Sequence, residues 1–197
     1  MPDPSLIVAL TGASGIIYAL RLLENIELAR SRYRMVYVVY TSSAEEVALI
    51  EENVDLKAYL KSVKGVNAVF HESELSSEIA SSSNLVNASM VIVPASMNTV
   101  SKIANGIQDN LVTRVANAVI RLRNRLIVVF RETPLSAIDL FNLYKLSVHG
   151  AIILPASPGF YIKPRSIDDL VNFIVGKIFD ALGVEHNLYR RYTRETT

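Results

Sequence analysis

The chain contains no cysteine. Disulfides, thiolate metal sites and a cysteine nucleophile are therefore excluded. It also has no tryptophan, and its three histidines, His71, His149 and His186, are scattered. Without ligand spacing, each reads as a surface or core histidine, and no metal site is expected. Neither sign of charge is in excess: 20 Lys and Arg against 19 Asp and Glu give +1. Such a balance exerts no global pull on nucleic acid or membrane. No apolar run approaches membrane-spanning length, and no charged segment precedes an apolar one at the N-terminus. The expectation is a soluble, cytoplasmic protein. What is present is a chain of 197 residues, half of them hydrophobic. That is enough for one domain with a sizeable core and too much for disorder.

The organising stretch is the apolar run 6–10 followed by Thr11-Gly12-Ala13-Ser14-Gly15. A helical pattern starts behind it, with Ile16, Ala19, Leu22, Leu23 and Ile26 on one side and an end near Arg30. Strand, glycine turn and helix open a nucleotide-binding α/β fold, in which free N–H groups at the helix start attract a phosphate. A dinucleotide is disfavoured. Tyr18 stands where a third glycine belongs, and the second strand, 35–40, ends in Thr41-Ser42-Ser43 instead of an acid. Those hydroxyls suit a phosphate or a flavin edge. No Tyr-x-x-x-Lys pair exists for a short-chain dehydrogenase relay.

Further strands are expected at 90–93, 126–130 and 151–154, with a short one near 69–70. Helices are expected at 43–53, 56–63, 110–122, 136–148 and 167–182, the last stopped by Gly183. Residues 73–84 read as a polar, serine-rich loop with a weak helix and no chemistry. The alternation predicts a single Rossmann-like α/β domain, a mainly parallel sheet with helices on both faces, over 1–185, and a tail at 186–197 suited to a subunit contact. Strand ends run into polar loops, where open parallel sheets bind ligands. Ser96, Met97, Asn98 and Thr99 form one such loop, although Thr99 also reads as a helix cap. Arg131 and Glu132 end a buried strand, where they either pair with each other or face a pocket. Glu51 and Glu52 sit at the unfavourable end of a helix, either merely exposed or placed for chemistry. Arg114 and Arg121, about 10 Å apart along one helix face, form either an exposed face or an anion site. Lys177 flanks the apolar stripe of the last helix and reads as a snorkelling lysine.

Taken together, the loops resemble those of the UbiX-type flavin prenyltransferases. The resemblance rests on Thr11-Gly12-Ala13-Ser14-Gly15 with Tyr18, and on Pro94-Ala95-Ser96 through Asn105-Gly106 and Asp109-Asn110-Leu111. The more specific segments are Arg131-Glu132-Thr133-Pro134-Leu135-Ser136 and Leu154-Pro155-Ala156-Ser157-Pro158-Gly159-Phe160-Tyr161. It implies transfer of a dimethylallyl group from dimethylallyl monophosphate to reduced FMN, without a metal. The product serves a UbiD-type decarboxylase. It further implies FMN contacts at Gly12, Ala13, Ser14, Thr41, Ser96, Met97, Asn98, Thr99 and Arg131, and a phosphate cradle of Arg114, Arg121, Tyr161 and Lys177. Ser14, Glu51 and Glu132 would assist proton movement and phosphate departure. A homo-oligomer, a dodecamer, with the site at subunit contacts is implied as well. Two positions depart from the pattern: Arg121 where many members have lysine, and Lys177 where many have arginine. Tyr192 stands where many carry tryptophan. Two other readings are a flavin-dependent decarboxylase of a cysteine-containing substrate and a non-catalytic FMN-binding protein. The former should show a histidine after the first helix and a Pro-x-Met-x-x-x-Met-Trp-like segment, and this chain has neither.

Overall fold

A computed structural model describes residues 3–192. In chain order the strands and α-helices are β1 (Ser5–Leu10), α1 (Ile16–Glu24), β2 (Met35–Tyr40), α2 (Ser42–Glu52), α3 (Leu56–Ser62), β3 (Ala68–His71), β4 (Ala88–Ala95), α4 (Met97–Ala104), α5 (Leu111–Arg121), β5 (Leu126–Phe130), α6 (Ala137–Val148), β6 (Ile152–Pro155) and α7 (Ile167–Leu182). The strands form one six-stranded sheet in the order β3-β2-β1-β4-β5-β6. Every pairing is parallel. The chain builds outward from β1 to β3, then returns to place β4 on the other side of β1. The point of reversal lies between β1 and β4, and their C-terminal ends open the crevice where such sheets bind ligands.

β1 is buried on both faces, so it reads as an unbroken apolar run. Leu6, Val8 and Leu10 point into a core shared with α1, α2, α3 and α7. Ile7 and Ala9 point into a second core with α4, α5 and α6. The result is three layers. α7 is fastened by Phe173, Ile174, Ile178, Phe179 and Leu182, all buried, each contributing about 1.5–3 kcal/mol of burial. Ser166 caps its start by accepting the Asp169 N–H, and Gly183, at φ 72°, ends it.

Local chemistry corrects the expected boundaries in two places. α1 stops at Glu24 and continues as a 3₁₀ helix, Ile26–Ser31. There the Asn25 amide donates to the Arg21 carbonyl at 2.9 Å, competing with the helical ladder. Ser96, not Thr99, caps α4: its hydroxyl accepts the Thr99 N–H at 3.2 Å. In the serine-rich segment the weak helix expected is two short 3₁₀ helices, Glu78–Ala80 and Ser82–Leu85.

Candidate active site

The loops leaving β1, β2, β4 and β5 converge on the crevice. Thr11, fully buried, ties two of them together. Its hydroxyl donates to the Pro94 carbonyl at 2.7 Å and accepts the Ser96 N–H at 2.8 Å. Gly12 lies against the start of α2, where an added Cβ would stand 2.3 Å from Ser43 Oγ and 2.4 Å from its Cβ. Thr41 Oγ1 caps α2 by accepting the Ala44 N–H at 3.1 Å. Arg131 reaches across from β5, and its Nε donates to the Ser14 carbonyl at 3.3 Å. Among the described residues the Arg131 guanidinium has no carboxylate partner. It lies close enough to Tyr18 to pull that phenol's pKa down against burial, which dominates and raises it. Hydroxyls, backbone N–H groups and one uncommitted guanidinium are a donor set that fits an anionic, hydrogen-bonding cofactor such as FMN.

Glu51 supplies a contact that its position in sequence does not show. Gly15 begins α1 in the left-handed region, at φ 99°, with no side-chain cap. The Glu51 carboxylate, from the far end of α2, accepts the N–H of Gly15 at 2.9 Å and of Ile16 at 3.2 Å. The start of α1 therefore meets a carboxylate, which corrects the expectation that its N–H groups stand free for phosphate. A negative charge at a helix N-terminus is worth about 0.3–1 kcal/mol. These two N–H groups offset the unfavourable dipole at the end of Glu51's own helix. Glu132 and Arg131 do not pair. Glu132 Oε1 accepts the Thr133 N–H at 3.0 Å, and successive residues leave a strand on opposite sides. The Ser14 side chain is exposed beside Arg131.

Arg114, Arg121, Tyr161 and Lys177 do not meet within one chain. Arg114 and Arg121 lie on α5 and line a cavity of about 470 Å³ with Ser76, Ser77, Ser81, Ser82 and Gln108. Arg114 Nε donates to the Ala80 carbonyl at 3.1 Å, and Arg121 Nη1 to Gln108 Oε1 at 3.4 Å. The serine-rich segment is thus the wall of an arginine-lined cavity. Tyr161 and Lys177 belong to the α7 layer on the opposite face of the sheet. Tyr161 packs edge-on against Phe173 at 5.8 Å, and the Lys177 ammonium lies 4.9 Å above the Tyr189 ring.

Three contributors escape sequence reasoning. Thr11 is read only as part of the glycine turn, without a role of its own. Glu72 accepts the Ser42 N–H at 2.9 Å and an N–H of the Asn110 amide at 2.6 Å, joining α2 to the start of α5. Asp180 gathers the C-terminal segment. Each acts through partners 6 to 85 positions away in the chain, and no local pattern carries that information.

Fold and site together define a flavoprotein, and residues 1–179 match the Flavoprotein family. Within that class the chain belongs to the UbiX flavin prenyltransferases. It is 46% identical over 187 residues to the flavin prenyltransferase UbiX of Thermoplasma acidophilum, covering 95% of this chain and 99% of the relative. Two solved structures align at 30% identity. AnUbiX in complex with FMN and dimethylallyl pyrophosphate has a TM-score of 0.86 and covers 98% of both chains. A dodecameric FMN-dependent UbiX-like decarboxylase from Escherichia coli has a TM-score of 0.88, covering 96% of this chain and 100% of that one. The chain is accordingly a prenyltransferase with FMN as its flavin. Among the described residues no group of three or more His, Cys, Asp or Glu could hold a metal ion. No described helix is long and apolar enough to cross a membrane.

Proposed function

We propose that this chain joins the dimethylallyl group of dimethylallyl monophosphate to reduced FMN and passes the prenylated flavin to a UbiD-type decarboxylase. The observation that carries the reading is the convergence of four strand-end loops, with Arg131 bridging from β5 to the Ser14 carbonyl. Gly12, Ala13, Ser14, Thr41, Ser96, Met97, Asn98, Thr99 and Arg131 would hold FMN. The flavin supplies the attacking atom, so the protein contributes orientation and electrostatics. Arg114, Arg121, Tyr161 and Lys177 would take the donor's phosphate and stabilise the charge that develops as it leaves. Ser14, Glu51 and Glu132 would move protons and assist that departure. Because the two halves of the cradle lie on opposite faces of the sheet, the reading requires a homo-oligomer, here proposed as a dodecamer, in which one chain completes another. Residues 1–185 would form the FMN-binding unit and act in the cytoplasm.

The test is anaerobic. The protein is mixed with reduced FMN and dimethylallyl monophosphate, and the released flavin is weighed by mass spectrometry. A gain of one dimethylallyl unit is the expected result. Unmodified FMN with the monophosphate, but a gain with the diphosphate, would overturn the assigned donor. No gain with either, while FMN co-elutes with the protein, would favour the binding-protein reading.

A further inference from the structure

The C-terminal segment is strapped onto α7. Gly176 makes the approach possible: a Cβ there would lie 2.4 Å from the Tyr189 ring and 2.7 Å from the His186 ring. The fastening is Asp180. Its carboxylate accepts the Tyr189 hydroxyl at 2.5 Å, Arg191 Nη2 at 2.7 Å and His186 Nε2 at 3.0 Å. The His186 side chain is wholly buried. Its Nδ1 accepts the Leu188 N–H at 3.2 Å, so the ring proton sits on Nε2 and the imidazole binds Asp180 as a neutral donor.

Charge does not balance in this cluster. Asp180 carries one negative charge. Two cations face it, Arg191 at 2.7 Å and Lys177 at 3.7 Å. Among the described residues, Asp180 is the one carboxylate within ion-pair distance of either of them. Among the described residues one positive charge is left over, on side chains that are 40% (Lys177) and 58% (Arg191) exposed. The Lys177 ammonium lies 5.4 Å from the centre of the Phe173 ring, against which Tyr161 packs. The Tyr161 ring is held between Phe173 and Tyr192, edge-on at 5.8 and 5.7 Å. Arg191 uses one of its five N–H donors on Asp180. The rest of the planar fork is available among the described residues, in the geometry that matches phosphate oxygens.

We propose that Arg191, brought by the strap to Tyr161 and Lys177, is a further contact to the phosphate of the prenyl donor. This rests on the reading of Tyr161 and Lys177 as phosphate contacts. Arg191 would supply the bidentate fork that the compact ammonium of Lys177 cannot form. Asp180 and Tyr189 would serve as positioning residues that hold the two cations on one side.

The experiment compares Arg191→Gln, Arg191→Lys and Lys177→Ala in the full chain, reading KM for dimethylallyl monophosphate, kcat, and the Kd of FMN. Gln keeps an N–H donor for Asp180 and removes the charge, so the strap survives. Arg191→Gln should raise KM about tenfold, the scale of one charge-assisted hydrogen bond, with the FMN Kd within about twofold. Arg191→Lys should recover part of that loss. If Lys177→Ala raises KM and Arg191→Gln does not, Arg191 is not a phosphate contact and the reading of the site stands. If KM and the FMN Kd rise together in Arg191→Gln, the residue is only structural. If neither Lys177→Ala nor Arg191→Gln moves KM, the reading of Tyr161 and Lys177 falls and takes this inference with it.

Discussion

The Glu51 carboxylate, at the last turn of α2, accepts the backbone N–H of Gly15 at 2.9 Å, at the first turn of α1. One side chain thus closes the mouth of the glycine turn and places an acid beside Ser14. Glu51→Gln keeps an oxygen that can accept one of these N–H groups but removes the charge. The loss of stability should be about 1 kcal/mol or less, read from the urea midpoint. If the carboxylate also handles a proton in the reaction, kcat should fall about 100-fold or more, with the FMN Kd within about threefold. A variant that loses stability yet turns over at the original rate would confine Glu51 to capping.

Gly12 and Ser43 form the tightest approach in the crevice. Gly12→Ala would drive a Cβ to within 2.3 Å of Ser43 Oγ. Gly12 is not at positive φ, so the cost is steric and not conformational. Overpacking of this kind costs about 1–3 kcal/mol. Ser43→Gly removes both side-chain atoms that the new methyl would strike. The double variant should therefore recover most of the loss, which a double-mutant cycle on unfolding free energies measures directly. Strictly additive losses would mean that the turn is constrained by something other than Ser43.

Much of this fold is legible in the sequence, and the reasons are local. β1, β2, β4 and β5 are continuous apolar runs because both faces of an inner parallel strand are covered. α7 announces itself by its stripe, its Ser166 cap and its Gly183 stop. β3 is short, half-buried and at the sheet edge, so its pattern is faint. The loops of the crevice are legible as polar strand ends. What Glu51 and Glu72 do in them, and what Asp180 does for the C-terminal segment, is not, because their partners are set by packing between elements. Asp180 in particular has no feature in its local sequence that sets it apart. Its function as a fastening appears only once residues 186–192 are folded back over Gly176. Residues 193–197, the remainder of the expected subunit-contact tail, lie outside the described residues.

Asp180 should also leave a mark on acid stability. Burial raises its pKa, but the hydrogen bonds from Tyr189, Arg191 and His186 prevail and take it from 3.8 to about 2. A carboxylate with a depressed folded pKa stabilises the fold above its unfolded pKa and loses that contribution as pH falls through the folded one. For a group 26% exposed, the contribution is about 2 kcal/mol, present above pH 3.8 and lost toward pH 2. Asp180→Asn removes this titration. The gap in unfolding free energy between the two proteins should narrow by about 2 kcal/mol between about pH 5 and pH 2. A gap that stays constant over that range would show that Asp180 titrates normally and that the strap is held by packing alone.

The placement of Arg114 and Arg121 on one face of the sheet and of Tyr161 and Lys177 on the other makes a prediction about mixed oligomers. If the four residues bind one phosphate, each site draws its arginines from one chain and its tyrosine and lysine from another. Arg114→Ala and Lys177→Ala should then each be nearly inactive alone. Unfolded together in equal amounts and refolded, they assemble at random. A site is intact when the arginines come from a Lys177→Ala chain and the lysine from an Arg114→Ala chain, each with a chance of about one half, so about a quarter of wild-type activity should return. Sites confined to single chains would recover nothing on mixing, since every chain would carry one lesion. Recovery near a quarter would locate the phosphate between subunits, and its absence would separate the two residue pairs into sites of different purpose.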